Sequence, residues 1–494
     1  NRRSGSDAKA PKMKHVVIVG GGVGGLAAAI RLRAVGHTVT IFERNDVAGG
    51  KLATFERDGF TFDIGPSLLT LPHVFDEVLA LAGTNLEAEL DLVRLDPQFR
   101  YHWRNGGQLR VHDDADATAA AFDTFSPGSG DAWRGFNEHG RKIWEVSERT
   151  FFAGPMDNPI ALLKRMRSPK DLATIDALRT LNDASRATFD SPELQQWANR
   201  YATYSGSSPR QAPATLACIP HIEAEYGCWY PMGGLGALRD ALVRAAIDQG
   251  VTIETGSDVA QITTQDQAVT GVKLIDGSTT AADIVIANVD AEHLYGDLID
   301  DERALKQVRK AGRSTSGFAL CIGASGTTEN LGHHNVWFSD DYAQEFRELD
   351  AGQLANDPTI YGCVSSVTDP SQAPAGSENW FLLVNTPPGA DIDAPAYRDL
   401  VLERLAAHGV DLRDRTQFCA RLTPADIEAF YRSPGGAIYG TASNGKQAAF
   451  ARPANRGTKD GLYLVGGSSH PGGGLPLVAT SAKIVCEMIA QDNE

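Results

Sequence analysis

The stretch Val16-Val17-Ile18-Val19-Gly20-Gly21-Gly22-Val23-Gly24-Gly25 decides the fold of this sequence. Its four apolar, β-branched residues are typical of a buried parallel strand, and the glycines follow where that strand should end. Residues 26–35 then read as a helix and Thr38–Phe42 as a second strand, which completes a βαβ unit. We therefore expect an α/β fold that begins with a parallel sheet.

The glycines form a GxGxxG pattern on Gly20, Gly22 and Gly25. The first allows a tight turn, the second lets a pyrophosphate approach the backbone, and the third lets helix and strand pack closely. Phosphate oxygens would then lie at a helix N-terminus, where free N–H groups favour anions. Glu43, which directly follows the second strand, can accept hydrogen bonds from a ribose diol. The pattern predicts a Rossmann-like dinucleotide-binding domain.

The composition is that of a folded, acidic protein. The 494 residues are 42% hydrophobic and 22% charged, which is typical of a globular chain of two or three domains. Lys and Arg total 46 against 62 Asp and Glu, so the formal charge is −16. Because nucleic-acid binding depends on basic surface, we expect no nucleic-acid partner.

Neither a disulfide frame nor a metal site is predicted. Six cysteines are spread along the chain without a CxxC pair, as in reduced cytoplasmic proteins. His333 and His334 are adjacent, which does not place both rings on one face, and no HExxH spacing occurs. No run of about 18 apolar residues is present, so no membrane span is expected. Residues 1–12 are polar and are expected to be a leader or an added extension.

Two segments after Glu43 narrow the choice of dinucleotide. Residues 44–51 read Arg-Asn-Asp-Val-Ala-Gly-Gly-Lys, and residues 62–67 read Phe-Asp-Ile-Gly-Pro-Ser. They resemble the extended FAD fingerprint of the amine-oxidase and phytoene-desaturase superfamily. Lys51 stands where Arg is commoner in that superfamily; it keeps the charge but loses the planar fork of the guanidinium.

Two further segments make the resemblance more specific. Residues 464–478 run from a buried strand through a glycine-rich His-Pro-Gly segment into a last helix, and residues 223–234 place acidic, aromatic and Pro-x-Gly-Gly positions in order. Together they resemble the bacterial phytoene-desaturase-type carotenoid desaturases. The resemblance covers residues 13–489 and is least distinct over residues 116–203.

This resemblance implies FAD as the cofactor, a long isoprenoid polyene as the substrate, and hydride transfer from substrate to flavin. It also implies a set of cofactor-binding residues drawn from both glycine clusters and the segments between them. These residues are Gly20, Gly22, Val23, Gly24, Gly25, Glu43, Arg44, Gly50, Lys51, Gly65, Pro66, Ser67, Val259, Gly466, Gly467, Gly474, Leu475, Pro476 and Leu477.

Three residues are candidates for proton transfer or for stabilising a substrate cation. Glu223 and Glu225 are two apart, so on a strand both would point to one face, and one of them would face the substrate. A solvated acidic edge or a structural ion pair remains the alternative. His470 in its neutral form can act as a base, although its place in the glycine-rich segment also suits a packing role beside the flavin.

The expected architecture is a discontinuous Rossmann-like FAD-binding domain, a mixed-sheet substrate domain and a helical, membrane-facing lobe. The FAD-binding domain is assigned residues 13–97, 225–295 and 455–494. The substrate domain is assigned residues 98–115, 204–224 and 296–454, and the lobe residues 116–203.

The lobe contains the predicted membrane contact. Residues 160–170 carry four basic side chains and no acidic one, namely Lys164, Arg165, Arg167 and Lys170. An apolar stripe runs along the same segment at near-helical spacing through Ile160, Leu163, Met166, Leu172, Ile175, Leu178 and Leu181. A helix that lies at the surface of an anionic membrane needs this combination of basic and apolar side chains. We therefore expect a cytoplasmic enzyme that associates peripherally with the membrane. The alternative is an ordinary amphipathic helix that packs on the protein's own core.

Several activities stay open at this level. Relatives of similar sequence oxygenate terminal methyl groups, desaturate hydroxylated carotenoids or isomerise polyenes. A flavin amine oxidase and a non-enzymatic isoprenoid chaperone of the same fold fit the motifs less well. No second GxGxxG with strand–helix context is present, so oxygen or a membrane quinone is expected to reoxidise the flavin, and the sequence does not choose between them. The oligomeric state is also open.

Overall fold

A computed structural model describes residues 13–156, 159–445 and 452–493; the proposed leader at residues 1–12 lies outside them. The strands are β1 His15–Val19, β2 Thr38–Phe42, β3 Thr54–Arg57, β4 Phe60–Asp63, β5 Leu92–Arg94, β6 Phe99–His102, β7 Gln108–Val111, β8 Trp229–Pro231, β9 Thr252–Glu254, β10 Val259–Gln265, β11 Ala268–Leu274, β12 Thr279–Ala281, β13 Ile284–Ala287, β14 Ser316–Ser325, β15 His334–Trp337, β16 Ile360–Cys363, β17 Ser377–Thr386, β18 Thr416–Leu422 and β19 Leu462–Leu464.

The helices lie between these strands along the chain. The α-helices are α1 Val23–Ala34, α2 His73–Ala80, α3 Leu86–Glu89, α4 Ala115–Phe125, α5 Ser129–Thr150, α6 Pro159–Arg165, α7 Pro169–Thr174, α8 Leu181–Thr188, α9 Pro192–Asn199, α10 Cys218–Tyr226, α11 Gly236–Asp248, α12 Ala291–His293, α13 Glu302–Ala311, α14 Tyr342–Asp350, α15 Ala394–Ala407, α16 Pro424–Tyr431 and α17 Leu475–Asp492. Short 3₁₀ segments occupy Arg200–Ser205, Ala214–Ala217, Ser365–Val367, Pro370–Gln372 and Pro434–Gly436, and a π-helical turn occupies Leu294–Leu298.

The predicted βαβ unit forms the centre of a parallel sheet. In the described part of the chain its strand order is β19-β13-β1-β2-β9, so its strands come from both ends and the middle of the sequence. Residues 16–19 of β1 are all apolar and buried, since helices α1, α11 and α17 cover one face of the sheet and the β10–β12 sheet covers the other. All strands end at the same edge, where ligands of such sheets bind.

A second, mixed sheet faces that edge. Its order is β18-β14-β17-β16-β15-β6-β7 within the described residues, and the hairpin of β6 and β7 pairs in parallel with β15. Helix α15 packs on one face of its central strands, while the other face meets the β3–β4 hairpin and the cavity described below. The α/β class with a parallel sheet, a mixed sheet and a helical region is thus confirmed.

Helices α4, α5, α8, α9 and α10 pack around an aromatic core beside the mixed sheet. Phe122, Phe136, Phe189 and Trp197 contact one another there with ring centroids 4.9–6.1 Å apart. In the part of the chain that the structure describes, no helix combines the length and apolar character needed to cross a bilayer.

The predicted interfacial helix is two short helices instead of one. Helix α6 ends at Arg165, and Ser168-Pro169 starts α7, because a proline suits a first helical turn but not a helix interior. Arg165 turns inward and donates to the carbonyls of Thr150, Gly154 and Pro155. Its expected place on the lipid-facing surface was therefore wrong.

The prediction of one continuous apolar stripe was wrong in part. Leu181 is fully buried and Ile175 is half-buried. Ile160, Leu163, Leu172 and Leu178 are 61%, 55%, 54% and 78% exposed. Beyond the turn between α6 and α7 the predicted stripe is not one face, since Leu172 and Leu178 are exposed whereas Ile175 and Leu181 are not.

Candidate flavin and substrate cavity

A cavity of about 500 Å³ lies between the carboxyl edge of the parallel sheet and the mixed sheet. It is continuous from the first glycine cluster to apolar side chains on β14, β15 and β17. Every predicted cofactor residue lines it except Gly25 and Leu477. Gly25 instead packs the helix on the strand, since a Cβ there would lie 2.4 Å from the Gly20 carbonyl oxygen.

The N-terminus of α1 opens onto this cavity. Its cap is Gly22, which has no side chain to satisfy the first N–H groups of the helix. A Cβ on Gly22 would meet the Asn288 amide at 3.1 Å and the Gly50 Cα at 3.7 Å, so the protein leaves little space beside the backbone there. Backbone donors and a positive helix end without a side-chain cap suit a diphosphate.

The two glycine clusters touch each other at this point. A Cβ on Gly24 would lie 3.2 Å from the Gly466 Cα and 2.9 Å from the Asn288 Oδ1. The Asn288 amide donates to the Gly20 carbonyl at 2.9 Å. Asn288 was not predicted, although it directly follows the buried strand β13 as Gly20 follows β1 and Glu43 follows β2. Its place at a strand end was the signal in the sequence, because the carboxyl ends of parallel strands lie at the same edge of a sheet.

Glu43 is held by three donors at the end of β2. Its Oε2 accepts from the Gly21 N–H at 2.8 Å, and its Oε1 accepts from the backbone N–H and the amide of Asn45, both at 2.9 Å. The residue is only 4% exposed yet lines the cavity. A carboxylate with fixed orientation and lone pairs toward the cavity is the arrangement that a ribose diol needs.

Lys51 places a cation in the wall of the cavity. Its Nζ donates to the carbonyls of Ile438 at 2.7 Å and Ala437 at 3.2 Å. Burial lowers the pKa of Lys51 to about 8, and the nearby Asp290 opposes that shift. Burial in turn raises the pKa of Asp290. The ammonium group therefore titrates close to neutral pH.

The second glycine cluster ends in another helix N-terminus without a side-chain cap. Gly474 caps α17, and Gly467, Leu475 and Pro476 line the cavity beside it. Arg452 holds the loop in place: its guanidinium donates to the Gly467 carbonyl at 2.6 Å and to two carbonyls of the loop after residue 438.

Glu223 and Glu225 do not share a face. They lie on helix α10, where residues two apart point in nearly opposite directions, so the predicted strand was wrong. Pro220 did not prevent the helix, since it lies in the first turn, where its missing N–H is not needed. Glu225 is exposed.

Glu223 is 1% exposed and accepts hydrogen bonds from two tyrosines, Tyr204 at 2.6 Å and Tyr201 at 2.8 Å. Burial raises the pKa of Glu223, while the charge of Arg200 opposes this shift. Arg200 and Tyr204 line the cavity, and Glu223 lies behind them. These two cavity residues were missed because they lie in a 3₁₀ segment that has no motif.

His470 faces away from the cavity. Its ring packs edge-on against Phe151 with centroids 4.6 Å apart, and its Nε2 lies 3.2 Å from the Gly154 carbonyl. Burial lowers the pKa of His470 to about 3, so the ring is neutral. These contacts join the second glycine cluster to the helical lobe, and they match the packing alternative.

The far part of the cavity is largely apolar, with a few hydroxyl groups. Ala319, Phe381, Leu383 and Val336 contribute apolar side chains from the mixed sheet. The predicted Ser67 hydroxyl lies 2.6 Å from the Tyr361 hydroxyl on β16, and both residues line the cavity.

Comparison with known proteins gives the family of this chain. Residues 23–490 match the family described as flavin-containing amine oxidoreductase. A 4,4'-diapolycopene oxygenase of Methylomonas sp is 34% identical over 97% of this chain and 98% of its own length. A 4,4'-diaponeurosporene oxygenase of Staphylococcus haemolyticus is 34% identical over 96% of this chain and 97% of its own length.

Solved structures share the fold at lower identity. A putrescine oxidase bound to putrescine has a TM-score of 0.67 at 14% identity, over 97% of this chain and 99% of that one. An oxidoreductase from Methanosarcina mazei has a TM-score of 0.65 at 18% identity, over 96% of this chain and all of that one. Both place the chain among proteins with this α/β architecture.

Proposed function

The chain belongs to the flavin-containing amine oxidoreductase family, and on that premise we propose that this FAD-dependent oxidoreductase oxidises a carotenoid. The observation that carries the proposal is the continuity of the cavity, which runs from two glycine-lined helix N-termini into an apolar chamber on the mixed sheet. The relatives that are 34% identical over nearly their whole length are named for oxygenating diapocarotenoids.

The residues present fit FAD. Gly22, Gly24 and Gly466 line the cavity with bare backbone that a diphosphate can approach, and Glu43 is set for a ribose. When bound, FAD supplies the electron acceptor that side chains lack. Lys51 and the N-terminus of α17 hold positive potential toward the cavity, which favours an electron-rich group beside them.

The apolar chamber would hold the polyene and exclude water from it. The side chains of Phe381, Leu383 and Val336 are apolar and form no hydrogen bonds. Transfer of a hydrocarbon chain from the bilayer to this surface therefore costs no free energy of desolvation. Arg200 places a cation at the same cavity beside Tyr204, and a guanidinium suits an oxygen atom at one end of a substrate. Such a pairing favours oxygenation of a chain end, the activity for which the relatives are named, over desaturation.

The reaction can be assigned by mass. The FAD-loaded protein would be incubated with liposomes that contain a diapocarotenoid, or phytoene as the comparison, in air enriched in oxygen-18. We expect a product that has gained labelled oxygen from the diapocarotenoid. Loss of two hydrogens per step without label would establish desaturation instead, and an unchanged substrate in both arms would refute a carotenoid substrate.

The same experiment without oxygen distinguishes the electron acceptors. We propose molecular oxygen, because oxygenation consumes it. A flavin that stays reduced without oxygen and is reoxidised by air supports this choice. Rapid anaerobic reoxidation by a quinone in the liposomes would show that a membrane quinone is the acceptor.

We also propose that helices α6 and α7 dock the enzyme on anionic membrane. Leu163 and Leu172 are more than half exposed, and the side chains of Lys164, Arg167 and Lys170 are exposed around them. Exposed leucines beside cations are typical of an interfacial contact, and each cation contributes about 1 kcal/mol near anionic lipid. This attraction would act against a formal charge of −16.

Sedimentation with anionic liposomes tests the docking surface. Changing Lys164, Arg167 and Lys170 to Gln should remove most of the binding to anionic liposomes at low salt. A matched control changes Arg303, Lys306 and Lys310 to Gln; these cations are exposed on α13, where no large apolar side chain is exposed. Equal loss in both variants would mean that net charge alone drives binding, and no loss in either would remove α6 and α7 from the contact.

A further inference from the structure

A buried cluster of His333, His334 and Cys363 lies behind the wall of the cavity. The possible ligand atoms of the three residues all lie within 4.8 Å of one another. The residues are 3%, 0% and 7% exposed. The two histidine rings have centroids 4.6 Å apart and lie nearly edge to face.

Strand pairing brings the cysteine to the histidines. His334 begins β15 and Cys363 ends β16, and the two are direct cross-strand partners in the antiparallel register. Side chains of such partners extend from the same face of a sheet. His333 precedes β15 immediately, and its carbonyl accepts from the Val364 N–H at 2.9 Å, directly beside Cys363.

The hydrogen bonds of the two rings leave one nitrogen of each available. His333 Nδ1 lies 2.9 Å from the Thr368 hydroxyl, and His334 Nδ1 lies 2.8 Å from the Tyr361 hydroxyl. The Nε2 atoms of both rings are buried and have no hydrogen-bond partner among the described residues. Buried polar atoms without a partner are rare in folded proteins and call for an explanation.

We propose that His333 Nε2, His334 Nε2 and Cys363 Sγ bind one zinc ion or another metal of similar softness. Metal-ligating histidines in proteins commonly donate their second ring N–H to an oxygen, which fixes the tautomer with the other lone pair toward the metal. Both rings have that arrangement here. Two imidazoles and one thiolate suit Zn²⁺ or Cu⁺ and suit neither Ca²⁺ nor Mg²⁺.

The spacing is compatible with one bound ion. Bonds of about 2.0–2.3 Å place ligand atoms roughly 3.5 Å apart, which is within the 4.8 Å limit that the three residues meet here. Three protein ligands also leave a fourth position open. The site has no solvent-exposed ligand, so the metal would be acquired as the chain folds.

The metal would act on the cavity through one residue. Tyr361 contacts His334 Nδ1 on one side and the Ser67 hydroxyl on the other, and it lines the cavity. With a metal on Nε2, the His334 Nδ1 must carry its proton and donate it to the Tyr361 oxygen. The Tyr361 hydroxyl then donates to Ser67, which fixes the direction of that hydroxyl at the substrate chamber.

The test uses the full chain with FAD bound, produced in medium in which Zn²⁺ or Co²⁺ is the supplied metal. We expect about one metal ion per chain by elemental analysis, after removal of loosely held ions. The cobalt form should show thiolate-to-cobalt charge transfer, and d–d bands at longer wavelength than the flavin absorption. Cys363→Ser should lose the charge-transfer band and at least about 10-fold of metal content.

Control variants separate binding from folding. Cys321 is a buried thiol on β14 of the same sheet, and Cys321→Ser should keep the metal and its spectrum. His334→Gln has nearly the volume of the wild type and should lose the metal while retaining flavin absorption. Metal-free wild-type protein from both media, or equal metal content in Cys363→Ser and wild type, would overturn the proposal.

Discussion

The two ends of the cavity are built from different kinds of groups. At the end near α1 the cavity meets backbone N–H groups and glycines, which belong to two short and contiguous stretches of sequence. At the far end it meets side chains such as Arg200 and Tyr204 from one 3₁₀ segment and Tyr361 from β16, which sheet pairing and lobe packing bring together.

This difference separates what is shared across a fold from what is specific to a reaction. The diphosphate and the adenosine ribose are the same in every enzyme that binds FAD, so fixed backbone geometry suffices to bind them. A substrate differs between enzymes, and exchange of individual side chains can change it without disturbing the strands. We therefore expect substitutions at the first end to abolish cofactor binding and substitutions at the second to change turnover while leaving the flavin bound.

The largest expected effect is that of Gly22→Val. The new side chain would occupy the place where the diphosphate approaches the backbone, so flavin content should fall to below about one tenth of that of wild type. The measurement is the flavin-to-protein absorbance ratio after purification with added FAD. Gly135→Val, at an exposed helical position with no neighbour within 4 Å, is the control and should retain full flavin. Full flavin occupancy in Gly22→Val would show that the diphosphate binds elsewhere.

Glu43→Ala should weaken FAD binding by about 100-fold, equivalent to about 2.7 kcal/mol. The variant loses the ribose acceptor, and it also leaves the N–H groups of Gly21 and Asn45 without their acceptor. Isothermal titration of the apoprotein with FAD gives the affinity. An unchanged Kd would show that the ribose contacts another residue.

The same contrast explains how much of the site could be predicted. Glu43 and the glycines were accessible because a local βαβ pattern fixes both their structure and their place at the sheet edge. Asn288 had a comparable signal after β13, and a systematic reading of strand ends would have found it. Tyr361 had none, since its position depends on the pairing of β16 with strands distant in sequence.

Glu223 was misplaced for a related reason. The acidic-x-acidic spacing fits a strand as well as a helix, and only packing against α5 and the lobe decides between them. Short segments rarely contain enough periodicity to identify themselves. The membrane segment shows the same limit, because a proline at residue 169 changed one expected helix into two.

A smaller effect is expected at Lys51, which lies between the two ends. With a pKa near 8, its ammonium group is charged at neutral pH and loses its proton above that, so FAD affinity should fall about 3- to 10-fold between pH 7 and roughly pH 9.5. Lys51→Arg should keep the affinity constant over this range, since a guanidinium stays charged.

Unfolding would not produce this loss of affinity. The pKa of Lys51 is lowered from its ordinary 10.5, so the unfolded chain binds more protons between about pH 8 and 10.5, and this group makes folding more favourable as pH rises through that window. A wild-type affinity that is flat across pH 8, or one that falls equally in Lys51→Arg, would exclude Lys51 as the source of the pH dependence.

The smallest effect, and the one that best defines the far end, concerns Glu223 compared with Glu225. Glu223 accepts from Tyr201 and Tyr204 and lies near Arg200, so it orients two residues that line the cavity, Arg200 and Tyr204, without lining the cavity itself. Glu223→Gln retains the volume but removes the charge and one acceptor, and kcat for carotenoid turnover should fall about 3- to 10-fold, with flavin content unchanged. Glu225→Gln changes an exposed side chain on the opposite face of the same helix and should match wild type.

A positioning role also predicts that Glu223→Gln alters the pH profile of kcat, because the raised pKa of the Glu223 carboxyl contributes to that profile. A purely structural role would lower protein yield and leave the pH profile of the remaining enzyme unchanged. Equal kcat values and equal pH profiles in the two variants would show that Glu223 and its partners only stabilise the fold. The substrate would then be oriented by Arg200 and the Tyr361 hydroxyl.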